Sequence, residues 1–425
     1  MYILVKTTEK LRGEVAIPTS KSHTIRGVVI GTLAEGITTL KNPLVSEDTL
    51  ASVNGCRHLG AKIDTSGIDW TIEGTNGKIC RPEEPLNLAN SGTSLNLLTG
   101  VASLGDFDVI LDGDESLRTR PVQPLLDALN QLGAYGISIR GNGRPPVKIK
   151  GKIKGGKTEV NGISSQFVSS LLISTPLAEE DTEIRVVNIR EVPYIEMTLK
   201  WLDERGIVYE KKEDYTYFKI KGKQRYNAFE KTIPADWSSA TFFLVAGAIT
   251  DSDILLKGLD INDVQGDRMV MEYLRKMGAD IRIEKDGVRV KGRKLKGVEL
   301  DLNNTPDALP AMAVCGCFAE GTTRIYNVAH ARIKETDRIK VMAEELSRMN
   351  GRIEETSDGL IIHHSNLKGN EVNGHYDHRI VMALSLAGLI ATGVTRVTTA
   401  EAVSVTFPDF IELMAKIGAD IKKEG

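Results

Sequence analysis

The chain has 425 residues, of which 41% are hydrophobic and 26% are charged, values typical of a globular protein with a large buried core. A formal net charge of −3 excludes a general nucleic-acid-binding protein, because such proteins carry a basic footprint. The length favours two or three domains.

Residues 1–15 alternate apolar and polar side chains, which predicts a β-strand. They lack the pattern of a secretory signal, and no apolar run of the chain reaches the roughly 18 residues that a membrane span requires. Of the four cysteines, Cys315 and Cys317 lie in an apolar run, and none belongs to a cluster with metal-ligand spacing. We therefore expect buried thiols, no metal and no membrane partner, in a soluble cytoplasmic protein.

A helix that ends at a glycine and is followed by a short strand recurs along the chain. The glycines lie 67 to 73 residues apart, at Gly60, Gly133, Gly206, Gly278, Gly351 and Gly418. Glycine is favoured there because the residue after a helix often takes a left-handed conformation. A second, more apolar helix accompanies each copy, with openings 69 to 74 residues apart at Ser20, Asn90, Ser164, Asp236, Thr305 and Tyr376. The two series predict six α/β subdomains, three in each of two domains, with the boundary within residues 221–237.

Several helix openings combine hydroxyl or amide side chains with cations. The cations are Lys21, Arg26, Lys334, Arg338 and Arg379. The N-terminal end of a helix has free N–H groups and a partial positive charge, so cations placed there favour binding of a phosphate or carboxylate. One such opening alone is explained by helix capping or surface charge, but four of them in phase with the repeat predict anion-binding sites.

The helix predicted to begin near His330 and to end at Asn350 and Gly351 has Lys334 and Arg338 near its start. The helix dipole disfavours each cation there by roughly 0.3–1 kcal/mol. We expect a bound anion to offset that cost.

Two further groups are candidates for substrate chemistry. Arg118 and Arg120 precede a helix and are compatible with either a solvated loop or a carboxylate clamp. Asp307 and Glu335 are acids that lie close to cations in the sequence, where a lowered pKa would favour a role as base or electrostatic partner. Each acid alone is more often a helix cap or an ion-pair partner.

Nine motifs resemble, in order and along nearly the whole chain, those of the 5-enolpyruvylshikimate-3-phosphate synthase family. They are SKSHTIR (20–26), NSGTS (90–94), RTRP (118–121), SSQF (164–167), PYIEMTL (193–199), PDA (306–308), RIKETDRI (332–339), DHR (377–379) and FPDF (407–410). RIKETDR together with DHR and SSQF is highly specific, whereas any one of them alone is not.

The resemblance implies a two-domain α/β enolpyruvyl transferase fold, with six βαβαββ-type subdomains in a hinged clamshell. The N-terminal domain would comprise residues 16–233. The C-terminal domain would comprise residues 1–15 together with 234–425, because the first strand returns to it. The implied reaction transfers the enolpyruvyl group of phosphoenolpyruvate to the 5-hydroxyl of shikimate 3-phosphate and releases phosphate, without metal or cofactor. A monomer without nucleic-acid partners is expected.

The resemblance also implies roles for individual residues. Shikimate 3-phosphate would be held by Ser22, Arg26, Ser164, Ser165, Gln166, Tyr194, Asp307 and Lys334. Phosphoenolpyruvate would be held by Lys21, Gly92, Arg120, Arg338 and Arg379, with Gly92 close to it because a side chain there would intrude. Asp307 would take the proton of the 5-hydroxyl, and Glu335, helped by Lys21, would protonate the methylene carbon. Domain closure would exclude water and assemble the cations of both domains.

Four positions depart from the family pattern. Val405 lies where many members have a lysine, and Asn96 where an arginine is frequent. His330 replaces an asparagine of some members. Glu191 lies where a serine often meets the shikimate phosphate, so its carboxylate would repel that group unless it is turned away or paired, for example with Arg190.

Two alternatives remain at this point. A UDP-N-acetylglucosamine enolpyruvyl transferase shares the fold and mechanism, but that family usually has a reactive cysteine in the loop that here reads DGDESLRTRP. A non-catalytic relative that binds anionic metabolites would account for Val405 and Glu191, but it would not require Lys21, Asp307 and Glu335.

Overall fold

A computed structural model describes residues 1–425, which divide into two compact units. The N-terminal unit is Thr19–Ile233, and the C-terminal unit combines Met1–Pro18 with Pro234–Gly425. The first boundary lies later than the predicted residue 15, because the whole strand Arg12–Ala16 pairs in parallel with Asp253–Lys257 of the C-terminal unit.

The chain forms 26 strands, most of them three to six residues long. The strands are β1 (Tyr2–Lys6), β2 (Arg12–Ala16), β3 (Ala34–Glu35), β4 (Ile37–Lys41), β5 (Lys62–Asp64), β6 (Trp70–Glu73), β7 (Leu86–Asn87), β8 (Val109–Asp112), β9 (Tyr135–Ser138), β10 (Val147–Lys150), β11 (Gly156–Asn161), β12 (Thr182–Val187), β13 (Tyr209–Lys211), β14 (Tyr217–Ile220), β15 (Tyr226–Asn227), β16 (Glu230–Thr232), β17 (Asp253–Lys257), β18 (Asp280–Glu284), β19 (Gly287–Lys291), β20 (Glu299–Asp301), β21 (Thr322–Tyr326), β22 (Arg352–Thr356), β23 (Gly359–His363), β24 (Glu371–Asn373), β25 (Val394–Thr398) and β26 (Ile421–Glu424).

Twelve α-helices alternate with these strands. The helices are α1 (Lys21–Leu33), α2 (Glu47–His58), α3 (Gly92–Ala102), α4 (Gln123–Gln131), α5 (Ser165–Ser174), α6 (Val192–Glu204), α7 (Trp237–Ile249), α8 (Val270–Met277), α9 (Leu309–Phe318), α10 (Arg338–Arg348), α11 (His378–Ile390) and α12 (Phe410–Lys416). None of them has the length and apolar character that crossing a membrane requires.

The six predicted subdomains are confirmed as six four-stranded sheets, three in each unit. The copy β7–α3–β8–α4–β9–β10 shows the βαβαββ order without interruption. Its first two strands are parallel, and the remaining neighbours are antiparallel. The same pattern recurs in the other five sheets, so the repeat in the sequence is a repeat of supersecondary structure.

Three sheets are completed by strands that are distant in sequence. In the C-terminal unit, β1 lies between β25 and β26, and β2 pairs with β17. In the N-terminal unit, β16 pairs with β4. The first residues of the chain therefore belong to the core of the C-terminal unit, where Ile3 and Val5 are fully buried.

Within two residues of the end of each glycine-terminated helix, one residue is left-handed, as the glycine series predicts. Five of the six glycines have φ between 69° and 104°. At the sixth position Asn350 takes this conformation, with φ 69°, one residue before Gly351. Asparagine substitutes there because its short polar side chain tolerates the left-handed region.

The second helix of each copy is the buried one, which explains its apolar sequence. Every residue of α7 is buried, and α7 packs against α9 and α11 in the C-terminal unit. Helix α3 packs against α1 and α5 in the N-terminal unit. A helix that is apolar all round needs such surroundings. Cys315 and Cys317 lie in buried α9 as expected, whereas Cys80 is exposed.

Candidate active site

Helix α10 begins at Arg338, later than predicted. Residues Ala329–Ile333 form a separate 3-10 turn, and Asp337 caps α10 by accepting a hydrogen bond from the N–H of Lys340. Lys334 therefore lies before the helix, while Arg338 is its first residue. Only 1% of the Arg338 side chain is exposed, so the guanidinium group is enclosed by the C-terminal unit.

Three carboxylates surround Arg338. Its Nη1 lies 2.7 Å from Oδ1 of Asp307, its Nη2 lies 2.6 Å from Oε2 of Glu335, and its Nε lies 2.7 Å from Oδ2 of Asp377. A buried charge requires such compensation. Side chains of the protein therefore already compensate this cation, which the sequence alone did not predict.

Asp307 links two arginines. Its Oδ1 contacts Arg338, and its Oδ2 lies 3.0 Å from Nη2 of Arg379. Burial alone would raise the pKa of Asp307, but Arg379, Arg338 and Lys334 outweigh it and hold the pKa well below its usual range. Asp307 is therefore ionised at neutral pH and can accept a proton only after its contacts with the cations weaken.

Asp377 is a site residue whose role the sequence did not reveal. It caps α11, accepting a hydrogen bond from the N–H of Arg379 at 2.9 Å, and its carboxylate also bonds to Arg338. Its capping position is readable from the sequence, but its contact with a residue 39 positions away is not. One carboxylate therefore fixes the start of α11 and orients the first side chain of α10.

In the N-terminal unit, Lys21 is held by another acid that the sequence did not indicate. Lys21 is the first residue of α1, and its Nζ lies 3.0 Å from Oδ2 of Asp48 in the first turn of α2. Asp48 is 3% exposed, and its Oδ1 is buried without a hydrogen-bond partner. The ion pair therefore orients the amine of Lys21.

Arg118 and Arg120 have different surroundings. Arg118 forms a partly exposed, bidentate ion pair with Asp112. Arg120 donates to the amide oxygen of Asn90 at 2.6 Å and lies against the start of α3. A Cβ atom added to Gly92 would lie 2.7 Å from its Nη1, so the missing side chain of Gly92 leaves room for this guanidinium.

The start of α5 brings together Ser164, Ser165 and Gln166. The hydroxyl of Ser164 accepts a hydrogen bond from the N–H of Gln166 at 3.3 Å, and thereby caps the helix. The amide oxygen of Gln166 accepts a hydrogen bond from Asn96 at 2.7 Å, and its Nε2 donates to Thr93. Asn96, at the position where an arginine is frequent, therefore positions Gln166.

Glu191 is turned toward this helix start. Its Oε2 accepts hydrogen bonds from the N–H and the hydroxyl of Ser165, at 3.2 and 2.7 Å, and Glu191 is 2% exposed. Of the two ways in which this carboxylate could avoid repelling a phosphate, turning away from the helix start is therefore not the one seen here.

Arg26 is buried among neutral groups. It donates to the backbone oxygens of Ser22 and Tyr194 and to the hydroxyls of Thr198 and Ser169. Burial lowers its pKa to about 10, against a smaller opposing effect of Tyr194, so Arg26 remains charged at neutral pH. Only 1% of the residue is exposed, so these neutral partners enclose its guanidinium group.

The structure thus brings the predicted residues into separate groups. The Arg338 cluster, comprising Asp307, Glu335, Arg338, Asp377 and Arg379, lies in the C-terminal unit. Lys21 with Asp48, Gly92 with Arg120, and Ser164–Gln166 with Glu191 lie in the N-terminal unit. Of the other departures, Val405 is 9% exposed in the 3-10 segment Ala400–Val405, and His330 is buried in Ala329–Ile333.

Comparisons with known proteins agree on one family. Residues 5–414 match the sequence profile of the family described as EPSP synthase (3-phosphoshikimate 1-carboxyvinyltransferase). The chain is 52% identical to a 3-phosphoshikimate 1-carboxyvinyltransferase of Acetivibrio thermocellus, with 97% of each chain covered. It is 43% identical to that of Methanocaldococcus jannaschii, over 99% of this chain and 100% of the relative. The structure is similar to an EPSP synthase of Acinetobacter baumannii, with a TM-score of 0.83, 31% identity and 99% of each chain covered.

Proposed function

Because this chain belongs to the EPSP synthase (3-phosphoshikimate 1-carboxyvinyltransferase) family, we propose that the Arg338 cluster and the starts of α1, α3 and α5 bind and activate the substrates of that reaction. The protein is a transferase. It transfers the enolpyruvyl group of phosphoenolpyruvate to the 5-hydroxyl of shikimate 3-phosphate by addition and elimination, and it releases phosphate.

The contact of Asp307 with two arginines is the observation that supports Asp307 as the proton acceptor. In the proposed addition step, the 5-hydroxyl oxygen attacks C2 of phosphoenolpyruvate and its proton passes to Asp307. Arg338 and Arg379 bind the anionic groups of phosphoenolpyruvate. Their attraction to Asp307 then weakens, and the pKa of Asp307 rises toward the range of a useful base.

Glu335 supplies the second proton in this proposal. It carries a proton in the substrate complex and delivers it to C3 of phosphoenolpyruvate, with Lys21 as the assisting group, which gives a tetrahedral intermediate. In the elimination, the new methyl group returns a proton to Glu335 as the bond from C2 to the phosphate oxygen breaks, so the double bond forms again. The proton held by Asp307 leaves with the released phosphate. The contact of Glu335 with Arg338, at 2.6 Å, supports its place next to the bound anion.

The remaining predicted residues bind the two polyanions. Phosphoenolpyruvate is held by Lys21, Arg120, Arg338 and Arg379, with Gly92 leaving the necessary space. Shikimate 3-phosphate is held by Ser22, Arg26, Ser164, Ser165, Gln166, Tyr194, Asp307 and Lys334. Cations held in advance by Asp48, Asn90 and Asp377 support catalysis, because they need no reorganisation when charge develops in the transition state.

Phosphate release from purified protein tests this function. The assay contains shikimate 3-phosphate and phosphoenolpyruvate, omits each in turn, and is repeated with EDTA. Release that requires both substrates and is unaffected by EDTA is expected. No release, while shikimate 3-phosphate still raises the melting temperature, would instead identify a binding protein. The relatives described above are all 3-phosphoshikimate enzymes, so the UDP-N-acetylglucosamine alternative is not supported.

A further inference from the structure

Glu191 reaches the start of α5 from a strained backbone position. It precedes α6 with φ 53° and ψ 43°, a left-handed conformation that is uncommon for a residue with a long side chain. The backbone on both sides is fixed, because the N–H of Arg190 bonds to the oxygen of Gly162 and the N–H of Tyr194 bonds to that of Glu191. The main chain therefore directs the carboxylate at Ser165.

The carboxylate uses donors that an anionic ligand of this helix would need. The N–H of Ser165 is one of the groups at a helix start without a partner inside the helix, and the hydroxyl of Ser165 is directed to the same oxygen of Glu191. Both distances, 3.2 and 2.7 Å, are those of formed hydrogen bonds. Glu191 therefore occupies the place at α5 that the positive end of the helix offers to an anion.

A phosphate group and this carboxylate cannot share Ser165. Both would need the same two donors, and the negative charges would repel each other at contact distance. The side chain of Glu191 has rotatable bonds, whereas its backbone is anchored, so the carboxylate can swing away while α6 stays in place. Binding of a phosphate at Ser165 must then include the loss of the Glu191 contacts.

We propose that Glu191 is an internal competitor of the substrate phosphate. It occupies the start of α5 before shikimate 3-phosphate binds and is displaced by the phosphate group. It thereby lowers the preference of the protein for the phosphorylated over the unphosphorylated substrate. This inference rests on the proposed function, which places the phosphate of shikimate 3-phosphate at Ser164 and Ser165.

The test compares dissociation constants for shikimate 3-phosphate and for shikimate, which has no phosphate group, by titration calorimetry. The variants are Glu191→Ser, which removes the carboxylate, and Glu191→Gln, which keeps its shape but not its charge. Both are expected to bind shikimate 3-phosphate about tenfold more tightly than the unmodified protein, and shikimate with little change. Inorganic phosphate, used as a second probe, is expected to bind more tightly as well.

Glu345→Gln is the matched control. Glu345 is also a buried glutamate that accepts a backbone N–H, that of Asn373 at 3.0 Å, but it lies in the C-terminal unit outside the Arg338 cluster. Its substitution is expected to change stability without changing the ratio of the two dissociation constants. A purely structural role of Glu191 would likewise leave that ratio unchanged.

The expected result is a rise in the dissociation constant for shikimate divided by that for shikimate 3-phosphate. The inference is overturned if neither Glu191 variant raises this ratio, or if both weaken binding of shikimate 3-phosphate. If a variant does not fold, a crystal structure of the unmodified protein with shikimate 3-phosphate decides, since Glu191 still bonded to Ser165 would contradict displacement. Absence of phosphate release by the unmodified protein would refute the proposed function. A changed affinity ratio would still establish the role of Glu191, so the two failures can be distinguished.

Discussion

Arg338 and Asp377 form a bidentate ion pair, in which Nε and Nη2 of the guanidinium lie 2.7 and 3.2 Å from the two carboxylate oxygens. Both side chains are almost fully buried, with exposures of 1% and 0%. The pair connects the first residue of α10 with the residue that caps α11. It therefore fixes the relative orientation of two helix starts in the C-terminal unit.

Replacing Asp377 with asparagine is expected to destabilise the protein by about 2 kcal/mol, because the buried guanidinium loses one charged partner while asparagine still caps α11. Urea denaturation measures the loss. The control is Asp112→Asn, which removes a bidentate partner from the more exposed Arg118 and is expected to cost only about 0–1 kcal/mol. Equal costs for the two variants would contradict the importance of burial.

Replacing Arg338 with methionine is expected to lower the free energy of unfolding at pH 7 by about 3–5 kcal/mol, because three carboxylates lose their common partner. Turnover is expected to fall by about two to three orders of magnitude. Without Arg338 the buried carboxylates repel one another when they are ionised, so the stability of the variant relative to the unmodified protein should recover as the pH is lowered. A variant more stable than the unmodified protein at pH 7 would instead indicate that the helix dipole dominates.

The low pKa of Asp307 predicts a pH-dependent contribution to stability. Because the pKa is lower in the folded than in the unfolded state, the contribution is complete above the usual carboxyl pKa of about 4 and is lost as the pH falls below it. Asp307→Asn should therefore be less stable than the unmodified protein at pH 7, and the difference should shrink below about pH 4. Urea denaturation at pH 7 and below about pH 4 measures the difference in stability between the two proteins. A difference that does not change with pH would exclude the charge of Asp307 as its cause. Turnover of this variant should be lost.

Replacing Gly92 with alanine is expected to raise the KM for phosphoenolpyruvate about tenfold, because the new methyl group would displace the guanidinium of Arg120 from its place beside Asn90. The affinity for shikimate 3-phosphate should change little. Steady-state kinetics with each substrate varied separately distinguish the two effects. Gly67→Ala is the control, since a Cβ atom added to Gly67 would lie 3.4 Å from its nearest contact, the backbone oxygen of Asp69. An unchanged KM for phosphoenolpyruvate would show that Arg120 can shift without loss.

The repeated fold could be predicted from the sequence because its signals are local. Helix ends and helix caps involve only residues within one turn of each other. Examples are the ends at Gly60 and Gly133 and the caps Ser20 and Asp236. The spacing of these signals then gives the number of copies without any knowledge of contacts. Even the exception, Asn350 in place of Gly351, follows the same local rule.

The partners of the cations could not be predicted, because they lie far away in the sequence. The contacts of Arg338 with Asp307 and Asp377 join residues 31 and 39 positions apart, and Lys21 meets Asp48 across 27 positions. Charge and helix position indicate where an anion would be favoured. They do not indicate whether the protein itself supplies it, which is why the carboxylates around Arg338 and the direction of Glu191 were missed.

The position of β1 between β25 and β26 also bears on the order in which the protein folds during synthesis. Tyr2 pairs with Glu424, so β1 cannot pair with both of its neighbours until β25 and β26, which are far along the chain, have been translated. The N-terminal unit is complete once β16 has emerged, and it can fold while β1 and β2 still wait as unpaired strands. A chaperone that shields β1 would therefore be needed until β25 and β26 have been translated, whereas β2 would need it only until β17 has emerged.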